Sequence, residues 1–172
     1  MTLLIILKKS KGITIIELLV AVTIAAILIT ATSHLFSTVF DEYRLKNNAD
    51  QLVYMLKYAK SEAIKRNETV YVNFFPGNNW CYGINAGSTC NCALSNNCSL
   101  GTYYAPAPNV ITMSTAGLNS NNFAFQNPNG ATKISGMITL KIYAKEKNLN
   151  IKVNQIGSVS SCSSNLSGYN PC

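Results

Sequence analysis

The sequence predicts an α+β fold, in which a long N-terminal α-helix packs on an antiparallel β-sheet domain. Residues 13–75 contain neither glycine nor proline, so nothing in them forces a helix to break. The second half of the chain contains strict alternation of apolar and polar residues, which is the period of strands with one buried face. All six cysteines follow the helical segment, as is typical of a disulfide-bonded domain in an oxidising compartment. These patterns favour a membrane segment followed by an exported domain over a cytosolic protein.

The first part of the predicted helix has the composition of a transmembrane segment. Residues 13–31 are almost entirely apolar, and their number is close to the ~20 that a helix needs to cross a bilayer. Lys8, Lys9 and Lys11 precede this run and would keep the N-terminus in the cytoplasm. The sequence therefore predicts a membrane-spanning half of the helix over residues 13–35.

The second half of the helix, residues 36–68, is predicted to be amphipathic. Its apolar residues recur three or four positions apart, as on one face of a helix: Leu45, Ala49, Leu52, Leu56, Ala59 and Ala63. Charged residues fall largely off this face, so we expect the face to pack against a sheet. The alternative to one helix over residues 13–67 is two helices joined near residues 33–37.

A carboxylate interrupts the apolar run at Glu17. A charged side chain at the centre of a bilayer costs roughly 2.5–3.5 kcal/mol on insertion scales, so Glu17 is a candidate functional residue. In the alternative interpretation Glu17 reaches the membrane surface, because it lies only one turn from the helix start.

The start of the helix resembles the class III signal of type IV prepilins and type II secretion pseudopilins, since Lys11-Gly12 precedes Ile13-Thr14-Ile15-Ile16-Glu17 and a long aliphatic helix. The resemblance implies that residues 1–12 are a leader peptide, that a prepilin peptidase cuts after Gly12, and that the new amine of Ile13 is methylated. It also implies that Glu17 pairs with this amine, commonly on a neighbouring subunit. Because an unpaired buried charge is heavily penalised, the pair would set the register of assembly. The family usually has phenylalanine at the position of Ile13.

A second resemblance lies at the end of the helix. Residues 56–67, with the sequence LKYAKSEAIKRN, and the β-prone Thr69-Val70-Tyr71-Val72 are similar to the helix end and first strand of FimT/FimU-like minor pilins and GspH-like pseudopilins. This resemblance implies the type IV pilin fold.

Residues 69–172 are predicted to form the extracytoplasmic β-rich domain. Strands are expected near residues 69–75 and 80–84, as a hairpin, and more weakly near residues 110–114 and 122–126. A clearer pair follows across a turn at residues 144–148, and its alternating apolar residues are Ile138, Leu140, Ile142, Leu149, Ile151 and Val153. We expect these strands to form an antiparallel sheet that rests on the helix.

The cysteines are expected to form disulfides and not a metal site, because their spacing lacks the paired C-x₂-C elements of zinc sites. Six cysteines allow fifteen pairings. We expect Cys162 to pair with Cys172, and Cys81, Cys90, Cys92 and Cys98 to pair among themselves. Cys90 and Cys92 are too close in sequence to be expected partners.

The sequence contains no recognisable catalytic constellation, so neither enzyme activity nor a cofactor is predicted. His34, the only histidine, ends the apolar segment without an evident partner and is interpreted as an interface residue. The prepilin peptidase would act on this chain as its substrate.

The family resemblance implies a minor type IV pilin that primes pilus assembly at or near the pilus tip. Its partners would be the prepilin peptidase, other major and minor pilins, and the bacterial inner membrane before the chain enters a pilus at the cell surface. One alternative is a minor pseudopilin of a type II secretion system.

Another alternative is a pilin that binds DNA for uptake in natural transformation. Some FimT-like pilins are thought to use a Gly-Arg-x-Arg motif, but here the stretch reads Gly157-Ser158-Val159-Ser160, without either arginine. Phosphate contacts would then fall to four lysines, and such binding would be nonspecific and salt-dependent. These candidates are Lys141, Lys145, Lys147 and Lys152.

Overall fold

A computed structural model describes residues 12–106, 109–143 and 145–172, and within these it leaves the side chains of residues 31–38 undescribed. The predicted leader, residues 1–12, lies outside the described residues except for Gly12, and so does the side chain of His34. The chain divides into two compact units, Met1–Val39 and Phe40–Cys172.

One helix, α1, spans Ile15–Arg66, so the alternative of two helices is wrong. Thr14 caps its start, because its hydroxyl accepts a hydrogen bond from the backbone N–H of Glu17 at 3.3 Å. The helix ends where Asn67 adopts a left-handed conformation with φ of 51°, which asparagine tolerates better than most residues. The basic residues Lys65 and Arg66 occupy the last turn, where positive charge interacts favourably with the helix dipole.

The predicted packing face of the second half of α1 is confirmed. Its six residues, Leu45, Ala49, Leu52, Leu56, Ala59 and Ala63, are fully buried. They lie in one core cluster with apolar residues of the strands that follow. Three of the six are alanines, which allow the helix backbone to approach the strands closely.

In the described residues, nine strands follow the helix. They are β1 (Val70–Phe75), β2 (Cys81–Ala86), β3 (Gly101–Tyr104), β4 (Ile111–Ala116), β5 (Asn122–Gln126), β6 (Ala131–Thr132), β7 (Gly136–Ile142), β8 (Asn148–Val153) and β9 (Val159–Cys162), with a short 3₁₀ turn at Asn119–Asn121. The predicted hairpins β1–β2 and β7–β8 are both present and antiparallel. The sequence analysis did not predict β3, β6 and β9, which are short and lack apolar alternation.

The strands form two sheets. Sheet A has the order β3-β2-β1-β5-β6, and sheet B has the order β4-β7-β8-β9. All strand pairs in both sheets are antiparallel. The sequence did not predict the division into two sheets, because alternation defines the buried face of each strand but not the strand beside which it pairs.

Hydrogen bonds join the two sheets. Gly77 and Met113 exchange backbone hydrogen bonds of 2.9 and 3.1 Å, and the buried Trp80 donates its indole N–H to the carbonyl of Ile111 at 2.9 Å. Thr132 of β6 donates its hydroxyl to the carbonyl of Asn154 at 2.9 Å, beside the turn that follows β8. These contacts tie sheet A to sheet B at both ends of their shared core.

Candidate functional site

The first unit exposes an apolar helix surface on all sides. Every described side chain from residue 12 to residue 30 is exposed, and the large aliphatic side chains between Ile13 and Ile29 are 47 to 86% exposed. Apolar surface of this extent is unfavourable in water and marks an interaction site. The sequence analysis predicted a transmembrane segment at residues 13–35; in the described part of the chain, no helix is long and apolar enough to cross a membrane.

Glu17 is the one carboxylate of the exposed apolar helix over residues 15–30. Its backbone N–H is held by Thr14, so Glu17 occupies the third position of the helix, where a negative charge faces the positive end of the dipole. Thr14-x-x-Glu17 has the spacing of a capping box, a signal that the sequence analysis overlooked. The cap fixes the helix start two residues after the predicted cleavage position.

Gly12 and Ile13 precede the helix and are exposed. A Cβ atom added at Gly12 would find no atom within 4 Å, so the backbone around the predicted cleavage position is open in the described residues. This exposure is what a peptidase needs to bind the chain in an extended form.

The second unit presents a further exposed stripe on α1, opposite its packing face. Phe40, Tyr43, Tyr54 and Ile64 are 60, 73, 66 and 47% exposed. Their successive spacings of 3, 11 and 10 residues are close to one, three and three helical turns, so they share one side of the helix. The sequence analysis did not identify this stripe, because large apolar residues on the polar side of a helix weaken the signal of its amphipathic period.

The structure does not bring the four candidate DNA-contacting lysines together. Lys145 pairs with Asp41 at 2.9 Å and Lys147 pairs with Glu42 at 3.3 Å, and the side chains of these two lysines and two carboxylates are partly buried. These pairs hold the β7–β8 turn against α1. Positive charge used in this way is not available to phosphate groups.

Lys141 and Lys152 lie elsewhere, on the strands of the β7–β8 hairpin. Lys141 is exposed, whereas Lys152 is partly buried and donates to the carbonyl of Cys172 at 3.0 Å. The register places Lys141 of β7 opposite Asn148, and Lys152 of β8 opposite Met137. Met137 lies four residues before Lys141 in β7. The two lysines therefore share a face of sheet B without forming a cluster.

The cysteines form three disulfides, Cys81–Cys92, Cys90–Cys98 and Cys162–Cys172, with Cα–Cα distances of 5.9, 5.3 and 5.0 Å. The first two fold the loop after β2 back over the outer side of that strand, so all four residues from Cys81 to Ile84 are buried. None of the described cysteines is free, and the described residues contain no group that could hold a metal ion.

One groove, with a volume of about 490 Å³, crosses one end of sheet B. Its lining is mostly apolar, with Ala116, Met137 and Val153 beside three serines, Ser135, Ser158 and Ser160. Lys152 also lines the groove, and its ammonium donates to the carbonyl of Cys172 at 3.0 Å.

An ion pair between the buried carboxylate of Glu62 and the exposed Arg66 stabilises the end of α1. Glu62 accepts a hydrogen bond from Arg66 at 2.6 Å and another from Lys65 at 3.4 Å. The Arg66 hydrogen bond is the main cause that lowers the pKa of Glu62 below its usual 4.5; burial opposes this effect, and Lys65 adds to it.

We predict that the Glu62→Gln substitution removes a pH-dependent part of the stability. Because the folded-state pKa is lowered, the ionised Glu62 stabilises the fold above the unfolded pKa near 4.5 and loses this effect as the pH falls through the folded pKa. Urea unfolding between neutral pH and about pH 3 should show a difference between wild type and variant that shrinks with acid. The exposed Glu146→Gln variant is the control, and an equal pH dependence in both variants would contradict the prediction.

Comparisons with known proteins agree with these features. The family model described as type II transport protein GspH matches residues 48–157, which is more than half of the chain. A second model, the prokaryotic N-terminal methylation motif, matches residues 7–33. A comparison with curated proteins found no match.

Two crystal structures of the type IV minor pilin FimU from Pseudomonas aeruginosa strain PAO1 are similar in fold. The structure in space group P65 has a TM-score of 0.50 and 18% sequence identity, with 68% of this chain and 91% of the FimU chain covered. The structure in space group P21 has a TM-score of 0.52 and 18% identity, with 67% and 86% covered. The predicted α+β type IV pilin fold, with a long helix packed on antiparallel strands, is thereby confirmed. The chain belongs to the GspH family of type IV pilin-like proteins, the family of minor pilins and pseudopilins.

Proposed function

We propose that this chain is a minor type IV pilin that primes pilus assembly and is incorporated at or near the pilus tip. The observation that carries the proposal is the exposed apolar helix over residues 15–30 with Glu17 at its start. Burial of this surface against other helices would stabilise an assembly, at about 25 cal/mol per Å² of apolar area removed from water.

The proposed route to the filament begins with processing. A prepilin peptidase cuts after Gly12 and methylates the new amine of Ile13. The match of the N-terminal methylation motif to residues 7–33 supports this step. The apolar helix holds the subunit in the inner membrane, with Phe40–Cys172 in the periplasm, until it joins other pilins. The three disulfides are consistent with that compartment.

Glu17 then pairs with the methylated amine of a neighbouring subunit. Inside a bundle of apolar helices both charges are removed from water, and each is strongly unfavourable without the other. The pair therefore favours one axial register between neighbours over the alternatives.

A strain that lacks the gene is expected to lose nearly all of the pili that can be sheared from its cells, because a priming subunit acts before elongation. The measurement is the amount of sheared pilin, compared with the parent and with the deletion strain complemented by the wild-type gene. Normal pili in the deletion strain would contradict an essential priming role.

A second candidate function is that of a minor pseudopilin in a type II secretion system. The observation that favours it is the description of the matching family model as a type II transport protein. The same deletion strain separates the two candidates, because loss of protein secretion with normal pili would support the pseudopilin.

Nonspecific DNA binding for uptake stays a prediction with less support. Lys145 and Lys147 are engaged by Asp41 and Glu42, so only Lys141 and Lys152 remain on the face of sheet B. A transformation defect in the deletion strain with normal pili would favour it.

A further inference from the structure

The C-terminal third of α1 carries a basic surface that the function described above does not use. Its residues line a shallow groove of about 370 Å³ and are Lys57, Lys60, Ser61, Ile64 and Lys65. With 3.6 residues per turn, they form one continuous strip of the helix surface. We refer to this set as the basic strip.

The positive charge of the basic strip is only partly compensated within the chain. Glu62 lies on the buried side of the helix and is bonded most closely by Arg66, with Lys65 the more distant partner. Lys57 and Lys60 are three residues apart on the same face, and like charges at this spacing repel each other. An acidic partner would relieve this repulsion.

Lys60 is held in place at the centre of the basic strip. Its ammonium donates to the carbonyl of Ile156 at 3.0 Å, and its aliphatic stem lies on the turn at Gly130, where an added Cβ atom would come within 2.6 Å of Lys60 Cγ. The position of this charge is therefore fixed before a partner arrives, so binding loses less side-chain entropy than it would with a mobile lysine.

Apolar side chains accompany the charges. Ile64 within the basic strip is 47% exposed, and Ile156, whose carbonyl holds Lys60, is 70% exposed. A phosphate backbone offers anions but no apolar surface to cover these two residues. A protein surface with both carboxylates and apolar side chains complements the basic strip more fully.

We propose that the basic strip binds an acidic surface of a neighbouring pilin-like subunit. This inference rests on the proposed function, since it needs the chain to act within an assembly of such subunits. The contact would add a specific lateral attachment to the association of the apolar helices, because complementary charge selects partners and suppresses wrong ones.

The first test reverses charge on the basic strip without touching the packed Lys60. The double variant Lys57→Glu and Ser61→Glu alters two exposed positions, and its control, Lys133→Glu and Ser114→Glu, alters two exposed positions elsewhere with the same change of charge. The full chain is expressed in the deletion strain, and its amount is measured in membranes and in sheared filaments. We expect the basic-strip variant to enter filaments at least fivefold less than the control at equal membrane abundance.

Equal incorporation of the two double variants would overturn the inference. Absence of even the wild-type chain from filaments would instead contradict the proposed function, so the two failures are distinguishable.

The second test identifies the partner directly. A photo-reactive benzoylphenylalanine replaces Ser61 in the full chain, and cross-linked products from illuminated cells are mapped by mass spectrometry. We expect an adduct with a peptide of a pilin-like subunit that contains Asp or Glu, reduced at least fivefold by Lys57→Glu. An adduct with nucleic acid, no adduct, or an adduct that Lys57→Glu leaves unchanged would each overturn the inference.

Discussion

Replacement of Glu17 by alanine is expected to lower the amount of this chain in sheared filaments at least tenfold, while cleavage after Gly12 stays intact. The variant would leave the cationic amine of a neighbour without its carboxylate inside an apolar bundle. Loss of one partner of a buried ion pair typically costs about 3–5 kcal/mol, which exceeds the 1.4 kcal/mol that corresponds to a tenfold change. The measurements are immunoblots of membranes and sheared filaments, with the mass of the mature chain as the test of cleavage.

Thr23→Ala is a matched control for this experiment. Thr23 is an exposed polar residue of the same helix, and its hydroxyl bonds only locally to the carbonyl of Val20 at 2.8 Å. This variant should behave as wild type, whereas Glu17→Gln, which preserves shape but not charge, should behave as Glu17→Ala. Normal incorporation of either Glu17 variant would remove the charge-pairing role from the proposal.

Replacement of Gly83 by alanine is expected to destabilise Phe40–Cys172 by about 1–3 kcal/mol, the usual cost of overpacking a core. Gly83 lies in β2 directly beneath the Cys90–Cys98 disulfide. An added Cβ atom would lie 3.0 Å from Cys90 Sγ and in direct collision with Cys98 Sγ. The bridge or the strand must therefore move, and urea unfolding of the purified chain measures the resulting loss of stability.

The matched control repeats the substitution in a chain with Cys90→Ser and Cys98→Ser. Without the bridge, the loop that covers Gly83 can relax, so the added methyl group should cost clearly less there. Titration of free thiols reports whether the bridge still forms in the Gly83→Ala single variant. The same loss of free energy in both backgrounds would show that the bridge is not what requires glycine.

The helix was the most predictable part of the molecule. Its bounds, Ile15–Arg66, lie within two residues of the expected ones, because the absence of glycine and proline and the period of the buried face are local properties. The hairpins β1–β2 and β7–β8 could also be predicted, since each joins two alternating segments through a short turn.

The weaker strands expected near residues 110–114 and 122–126 are present as β4 and β5. In contrast, β3, β6 and β9 could not be predicted from their own residues. β3 and β9 each contain four residues, and β6 contains two. Their conformation is set by hydrogen bonds to a neighbouring strand and not by intrinsic preference, which is weak and context-dependent in strands. The division into two sheets depends on these same pairings.

The four candidate DNA-contacting lysines show that the surroundings of a charged side chain also could not be predicted from the sequence. Lys141, Lys145, Lys147 and Lys152 are close in sequence, but a turn and two strands direct them to different surroundings. Asp41, which pairs with Lys145, is separated from it by 104 residues. For the basic strip of α1, the sequence shows that its lysines lie off the packing face. It does not show the groove that they line or the carbonyl of Ile156 that holds Lys60.

The amino-acid sequence by itself determined the extent of the helix, its packing face, the N-terminal processing signal and the presence of exposed and buried sides in the main strands. Each of these follows from interactions between residues that are neighbours in the chain. Only the tertiary structure decided which strands pair, which cysteines bond, which bridge lies over Gly83, and which lysines pair with carboxylates of the chain. These outcomes depend on distances between residues far apart in the chain, and those distances exist only after the helix and both sheets have packed into one core.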